Sequence, residues 1–214
     1  MLNFDEKNTF YICLDQRKEK FEDRLQRTGI NATRISAVLP NNITDVFASN
    51  LTKNQCACAQ SHINIYRMIL NNNDIEYALI LEDDVCFDKN WKNKLAQIND
   101  KIRDDPQWDL ILLNCSESSE INTWSVAHNQ YLTGSYIISR LGVTHLFQMF
   151  TKMFFASDFM TSRLQNLGHS YCYFPWLVIQ EGIETTIGSN VVEDHKKVIR
   201  LLNGISYDLS NYII

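Results

Sequence analysis

Apolar positions along the chain fall into short continuous runs separated by segments of helical periodicity. Residues 9–14 form the first run and predict a buried strand. The charged stretch 17–28 follows, with Phe21 and Leu25 at helical spacing and Gly29 placed as its stop. A second short strand is expected over 31–38, and residues 39–53, with Pro40, Asn41 and Asn42, read as a loop. Over 54–70 one helix carries two apolar faces: Ala59, Ile63, Tyr66 and Leu70 on one, Cys58, His62, Ile65 and Ile69 on the other. That is the pattern of a helix sandwiched in a core. Residues 77–81 are unbroken apolar, as in a central strand covered on both faces. Trp91, Leu95, Ile98 and Ile102 mark an amphipathic helix with Asp88 as its N-cap. Residues 110–113 predict another buried strand, 114–129 a polar loop and 131–138 a strand. A helix capped by Ser139 then runs to Phe150, a further one covers 157–167 up to Gly168, and a strand follows over 171–174. Residues 175–214 are weakly patterned.

Strands alternating with helices predict an α/β domain with a mostly parallel central sheet flanked by helices. A chain of 214 residues fits one such domain, here residues 1–190, with 191–214 as a C-terminal tail packing on or extending it. In such sheets ligands gather at the carboxyl ends of the strands. Glu82-Asp83-Asp84 follows the 77–81 run directly, at one such end.

Composition narrows the partners. A net charge of −5 excludes the basic face of a nucleic-acid binder. It also requires local countercharge if the ligand is phosphorylated. The six cysteines, at 13, 56, 58, 86, 115 and 172, lack the spacing of a disulfide framework, and Cys13, Cys86 and Cys115 sit in or beside apolar runs as small hydrophobes. The first six residues have neither the basic nor the apolar region of a signal peptide, and no run approaches the roughly 18 apolar residues of a membrane span. A cytoplasmic chain is the expectation, with peripheral contact to a membrane and the oligomeric state left open.

Three consecutive carboxylates repel unless something positive joins them, by about 4 kcal/mol for two charges roughly 4 Å apart at an effective dielectric near 20. A divalent cation reverses that sign, and a hard ion accepts carboxylate oxygens from alternate positions. The same cation would take the diphosphate oxygens of a nucleotide-sugar and stabilise the departing nucleotide. The competing reading is a solvated acidic turn. Neither a Walker-type loop nor G-x-G-x-x-G is present, which removes the support for kinase and dinucleotide chemistry. A metal-dependent phosphohydrolase built on the same carboxylates, and a catalytically silent nucleotide-sugar or glycan reader, remain as rival classes.

An ordered set of segments resembles glycosyltransferase family 25, which includes lipooligosaccharide and collagen galactosyltransferases. The segments are residues 11–17 (YICLDQR) with Arg24 and Ala37, 58–62 (CAQSH), 79–85 (LILEDDV), 134–140 (GSYIISR), Ser157-Asp158 and 175–180 (PWLVIQ). The chain departs from the family at Gln16, where a basic residue is commoner, and at Cys56-Ala57-Cys58 before the Ser-His pair. The resemblance implies a GT-A-like fold, a UDP-hexose donor (galactose before glucose), a glycan or hydroxylysine acceptor, and Mn²⁺ or Mg²⁺ at the acidic cluster. It implies Asp84 as the main metal ligand, with Glu82 on the metal or the donor's ribose and Asp83 on the donor. Inversion at the anomeric carbon calls for a carboxylate base, and Asp158 is the candidate; the competing role is a helix N-terminal carboxylate held by the macrodipole.

The Ser-His motif places His62 on the donor side, against a core histidine bonded to backbone. Cys58 and His62, at i and i+4, also have the spacing of metal ligands. Arg17 is a candidate for the uridine or phosphates, or a solvated surface arginine. His195, between Asp194 and Lys196 with Glu193 adjacent, is a candidate to close over the diphosphate, against a charged solvated tail. Cys56 and Cys58 lack a second cysteine pair and read as packing. Trp124, in the 114–129 loop, is a candidate platform for an acceptor sugar.

Overall fold

The computed structural model describes residues 2–181 and 190–214, the side chains of 190–195 excepted. In chain order the elements are β1 (Thr9–Cys13), α1 (Lys18–Thr28), β2 (Thr33–Ser36), α2 (Lys53–Asn71), β3 (Tyr77–Glu82), β4 (Val85–Asp88), α3 (Trp91–Ala96), α4 (Ile98–Asp104), β5 (Leu110–Leu112), β6 (Trp124–Val126), β7 (Ser135–Ser139), α5 (Arg140–Met149), α6 (Ser157–Leu164), β8 (Ser170–Tyr173), β9 (Val178–Gln180), α7 (Asn190–Gly204) and β10 (Tyr212–Ile213).

The main sheet has the order β2-β1-β3-β7-β5-β8-β6. Strands β2, β1, β3, β5 and β8 point one way, while β7 and β6 run against them. The expected α/β class with a mostly parallel sheet therefore holds. Alternation along β3 explains why its sequence is apolar throughout. Ala78 and Ile80 pack with Ile63, Tyr66 and Ile69 of α2 on one face, and Leu79 and Leu81 with Phe21 and Leu25 of α1 on the other.

Local chemistry sets the helix ends. Thr52 and Gln55 form a reciprocal capping box at the start of α2. Gly29 closes α1 at φ +68, the left-handed conformation glycine adopts without strain. Ser139 caps α5 through the N–H of Gly142, where an added Cβ would lie 2.4 Å from the Asp109 carbonyl oxygen.

Several expectations are corrected. The helix over 91–102 is two helices parted at Gln97, and Asp88 is not its N-cap. Asn90 holds that position; Asp88 lies at the end of β4, fully buried, paired with Lys94 Nζ at 2.8 Å and accepting from the Asn90 N–H at 2.7 Å. Residues 114–129 contain β6, and the weakly patterned 175–214 contain β9, α7 and β10. Val198 and Leu202 of α7 are buried in the core cluster, and β10 joins β4 and β9 in a small antiparallel sheet. That sheet matters for the site, because its register sets Gln180 opposite Val85, one residue past the acidic cluster.

Candidate functional site

The carboxyl ends of β1 and β3, the first half of α2 and the end of β9 enclose a cavity of about 320 Å³. Glu82, the last residue of β3, and Asp83 and Asp84, in the turn to β4, all line it. The other polar lining residues include Arg17 beyond β1, His62 on α2 and Gln180 on β9. Ala37, Val38, Leu39 and Pro40 supply an apolar stretch of wall.

Each acid has a different environment. Asp83 accepts the Leu14 N–H at 2.9 Å and pairs with Arg17 Nη1 at 3.0 Å, so it ties the end of β1 to the end of β3. Glu82 Oε1 meets His62 Nε2 at 3.0 Å, and its Oε2 accepts from Gln180 Nε2 at 3.4 Å. The same amide nitrogen reaches both oxygens of Asp84, at 3.3 and 3.2 Å. Burial, reinforced by the charges of Glu82 and Asp83, pushes the Asp84 carboxyl up to about 7, with the Gln180 hydrogen bond and Arg17 pulling the other way. A carboxyl in that condition gains from a cation that favours its ionised form.

Glu82 Oε2 and the two Asp84 oxygens converge on one NH₂ group. This all-oxygen donor set, aimed at a single point, is what a hard divalent ion takes. The residues present therefore fit Mn²⁺ or Mg²⁺, which Asp84 and Glu82 would hold.

Behind Glu82 runs a buried chain of hydrogen bonds. His62 is fully buried, its Nδ1 lies 2.8 Å from the Tyr136 hydroxyl, and that hydroxyl lies 2.7 Å from the hydroxyl of Tyr66. The histidine is thus not bonded to backbone: its two ring nitrogens face the side chains of Tyr136 and Glu82, and it lines the cavity beside Glu82.

A family model described as "Glycosyltransferase family 25 (LPS biosynthesis protein)" matches residues 8–124, more than half of the chain. The chain belongs to glycosyltransferase family 25. A "Glycosyltransferase 25 family member" of Aedes aegypti is 29% identical to this family-25 chain over 157 residues, 68% of the chain and 24% of the relative. "Procollagen galactosyltransferase 2" of Homo sapiens is 28% identical over 135 residues, 52% of the chain and 21% of the relative. "Probable inactive glycosyltransferase 25 family member 3" of Bos taurus is 25% identical over 134 residues, 58% of the chain and 22% of the relative. The chain spans between a fifth and a quarter of the length of these relatives. The solved structure of A197 from STIV, 14% identical, covers 77% of this chain at a TM-score of 0.39, a likeness too low to argue from.

Of the residues singled out in the sequence of this family-25 chain, Arg17, His62, Glu82, Asp83 and Asp84 come together in the cavity. Asp158 does not line it. It stands in the first turn of α6, its Oδ1 accepting the Phe159 N–H at 2.7 Å, close enough to Cys58 for its charge to bear on that thiol. Burial, then the charges of Glu82, Asp158 and Asp84, push the Cys58 thiol well above its usual range, against a hydrogen bond from Ser157. Cys58 itself lines the cavity, so reading it as packing alone is corrected. Trp124 is not an acceptor platform: it is buried in β6, and its Nε1–H donates to the Lys94 carbonyl at 2.9 Å. His195 lies in α7 with its side chain outside the described residues. Gln180 and Tyr136 stand in the sequence only as parts of motifs; nothing in their spacing shows that Gln180, 98 residues away, bonds Glu82 directly, or that Tyr136, 54 residues away, reaches it through His62.

Proposed function

We propose that this chain is a metal-dependent inverting hexosyltransferase that moves a hexose, galactose before glucose, from a UDP-sugar to a hydroxyl of a glycan or hydroxylysine acceptor. The observation that supports this reading above all is the convergence of Glu82 and Asp84 oxygens at the end of an interior strand, inside a cavity of 320 Å³. That volume lies within the roughly 300–1,000 Å³ of small-molecule sites. The name of the human relative, procollagen galactosyltransferase, supports galactose as the sugar and a procollagen-type acceptor.

Arg17 offers positive charge to the phosphates from one wall, and the apolar 37–40 stretch faces the donor with a surface suited to a nucleobase. A hard cation bound at Asp84 and Glu82 supplies Lewis acidity toward the diphosphate. Asp158 takes the acceptor hydroxyl proton as the acceptor oxygen attacks the anomeric carbon; the bond from that carbon to the diphosphate oxygen breaks, and UDP leaves. The carboxyl of Asp84, held high by burial, would give up its proton to a bound cation, so metal affinity would rise with pH.

The bovine relative's name, probable inactive, favours one second reading: a donor reader without turnover. Incubation with UDP-galactose and Mn²⁺, with UDP release as the readout, separates them. Metal-dependent UDP release supports the transferase. A thermal shift with UDP-galactose but no release supports the silent reader, and phosphate release from simple esters without UDP dependence supports a phosphohydrolase.

A further inference from the structure

The cavity contains a second donor set, two of whose three members the transferase reading does not use. Cys58 and His62 stand one turn apart on α2 and face Glu82 at the end of β3. The thiol sulfur, the imidazole nitrogen and a carboxylate oxygen all lie within 4.8 Å of one another. His62 Nε2 is 3.0 Å and Cys58 Sγ 3.9 Å from the same atom, Glu82 Oε1.

A tetrahedral zinc ion with bonds of about 2.0–2.3 Å separates its ligand atoms by roughly 3.3–3.7 Å. The two spacings to Glu82, 3.0 and 3.9 Å, lie on either side of that range and the third is within 4.8 Å, so side-chain shifts of up to about 1 Å would seat an ion among the three. The shell behind the histidine is also present. Tyr136 Oη lies 2.8 Å from Nδ1, and Tyr66 Oη lies 2.7 Å beyond it. Either hydroxyl of the pair can be the donor to the other, so Tyr136 can accept an Nδ1–H and leave the Nε2 lone pair for an ion seated between His62 and Glu82. Such an outer partner fixes the tautomer and aim of a metal-bound imidazole. The third member, Cys58, is half-buried and lines the cavity, which leaves a fourth position open toward it.

We infer that Cys58, His62 and Glu82 form a binding site for a borderline-soft divalent cation, zinc by ligand chemistry, distinct in donor type from the all-oxygen set of Glu82 and Asp84. One thiol, one imidazole and one carboxylate select zinc over manganese or magnesium. The Cys58 proton leaves to solvent when the ion binds, so affinity falls as the pH is lowered. The two sets share Glu82. Where the transferase reading holds, and this consequence rests on it, zinc draws Glu82 out of the hard-metal set and lowers turnover. The binding site itself does not depend on that reading.

Cobalt(II) is the probe, added to the full chain without donor or acceptor. The expected spectrum has a thiolate-to-cobalt band in the near ultraviolet that saturates at one equivalent and is removed by zinc. Cys58→Ser abolishes the band; Cys56→Ser, in the same helix but outside the cluster, keeps it. Asp84→Asn also keeps it while removing Mn²⁺-dependent UDP release, which separates failure of this site from failure of the transferase reading. Absence of a thiolate band in the unmutated chain overturns the inference, as does a band that survives Cys58→Ser. If Cys58→Ser does not fold, zinc protection of Cys58 from alkylation is read on the unmutated chain by peptide mass spectrometry, and equal alkylation with and without zinc overturns it.

Discussion

Gly134 and Gln180 are packed so closely that a Cβ on Gly134 would meet the Cγ and Cδ of Gln180 at 2.9 Å each. The missing side chain gives the Gln180 amide room to lie across Glu82 and Asp84. Gly134 also accepts the Glu82 N–H at 2.8 Å through its carbonyl, so one residue fixes both the acid and its amide partner. Gly134→Ala is therefore expected to leave far-UV circular dichroism unchanged, because the clash falls on a flexible side chain. It should lower kcat by about 10–100-fold through displacement of the site. An unchanged kcat would show that Gln180 has no part in ordering the acids.

Asp84 carries a pH signature with a definite sign. Its carboxyl is raised in the fold to about 7 from an ordinary 3.8, so ionisation weakens the metal-free fold. That contribution to stability is intact at low pH and is lost as the pH rises from about 4 to about 7. Asp84→Asn is expected to raise the Tm of the metal-free chain at pH 8 by about 3 °C or more, and to change it little at pH 4.5. Thermal denaturation at both pH values checks this. The same substitution should remove metal-dependent activity.

Tyr136→Phe deletes the hydroxyl between Tyr66 and His62 and leaves two buried polar groups short of a partner. A loss of about 1–3 kcal/mol in urea denaturation is expected. Activity should fall as well, since His62 then loses the contact that holds it against Glu82. A stable variant with full turnover would confine this chain of hydrogen bonds to the core.

Much of this arrangement was legible in the residues, and the illegible parts share a cause. The unbroken 77–81 run, the two-faced α2 and the glycine stop at Gly29 are local patterns, and each emerged as read. The acids could be placed at a strand end because they follow β3 directly. Gln180 reaches them through strands of three and four residues, too short to leave a periodic trace, paired across a stretch of chain that contains α3 to α6 and β5 to β8. Trp124 looked exposed because its chain neighbours are polar, yet β6 pairs with β8 and turns its ring against Tyr173, 5.3 Å between centroids. Asp88 resembled a helix cap until its ion pair with buried Lys94, a tertiary contact, gave it another partner.

Asp158 stands in the first turn of α6 beside Cys58. Asp158→Asn is expected to keep the fold and UDP affinity while lowering kcat by about 100-fold or more, the scale of general-base catalysis. Full activity would remove Asp158 from that role and leave it as a helix-terminus carboxylate.

The central claim is that Glu82 and Asp84 together hold a hard cation that in turn holds a nucleoside diphosphate. Titration calorimetry of the unmutated chain with UDP, in the presence and absence of Mn²⁺, tests it most directly. The account predicts UDP binding that requires Mn²⁺ and disappears in Asp84→Asn. Equal UDP affinity with and without the metal, or no UDP binding in either, would contradict it.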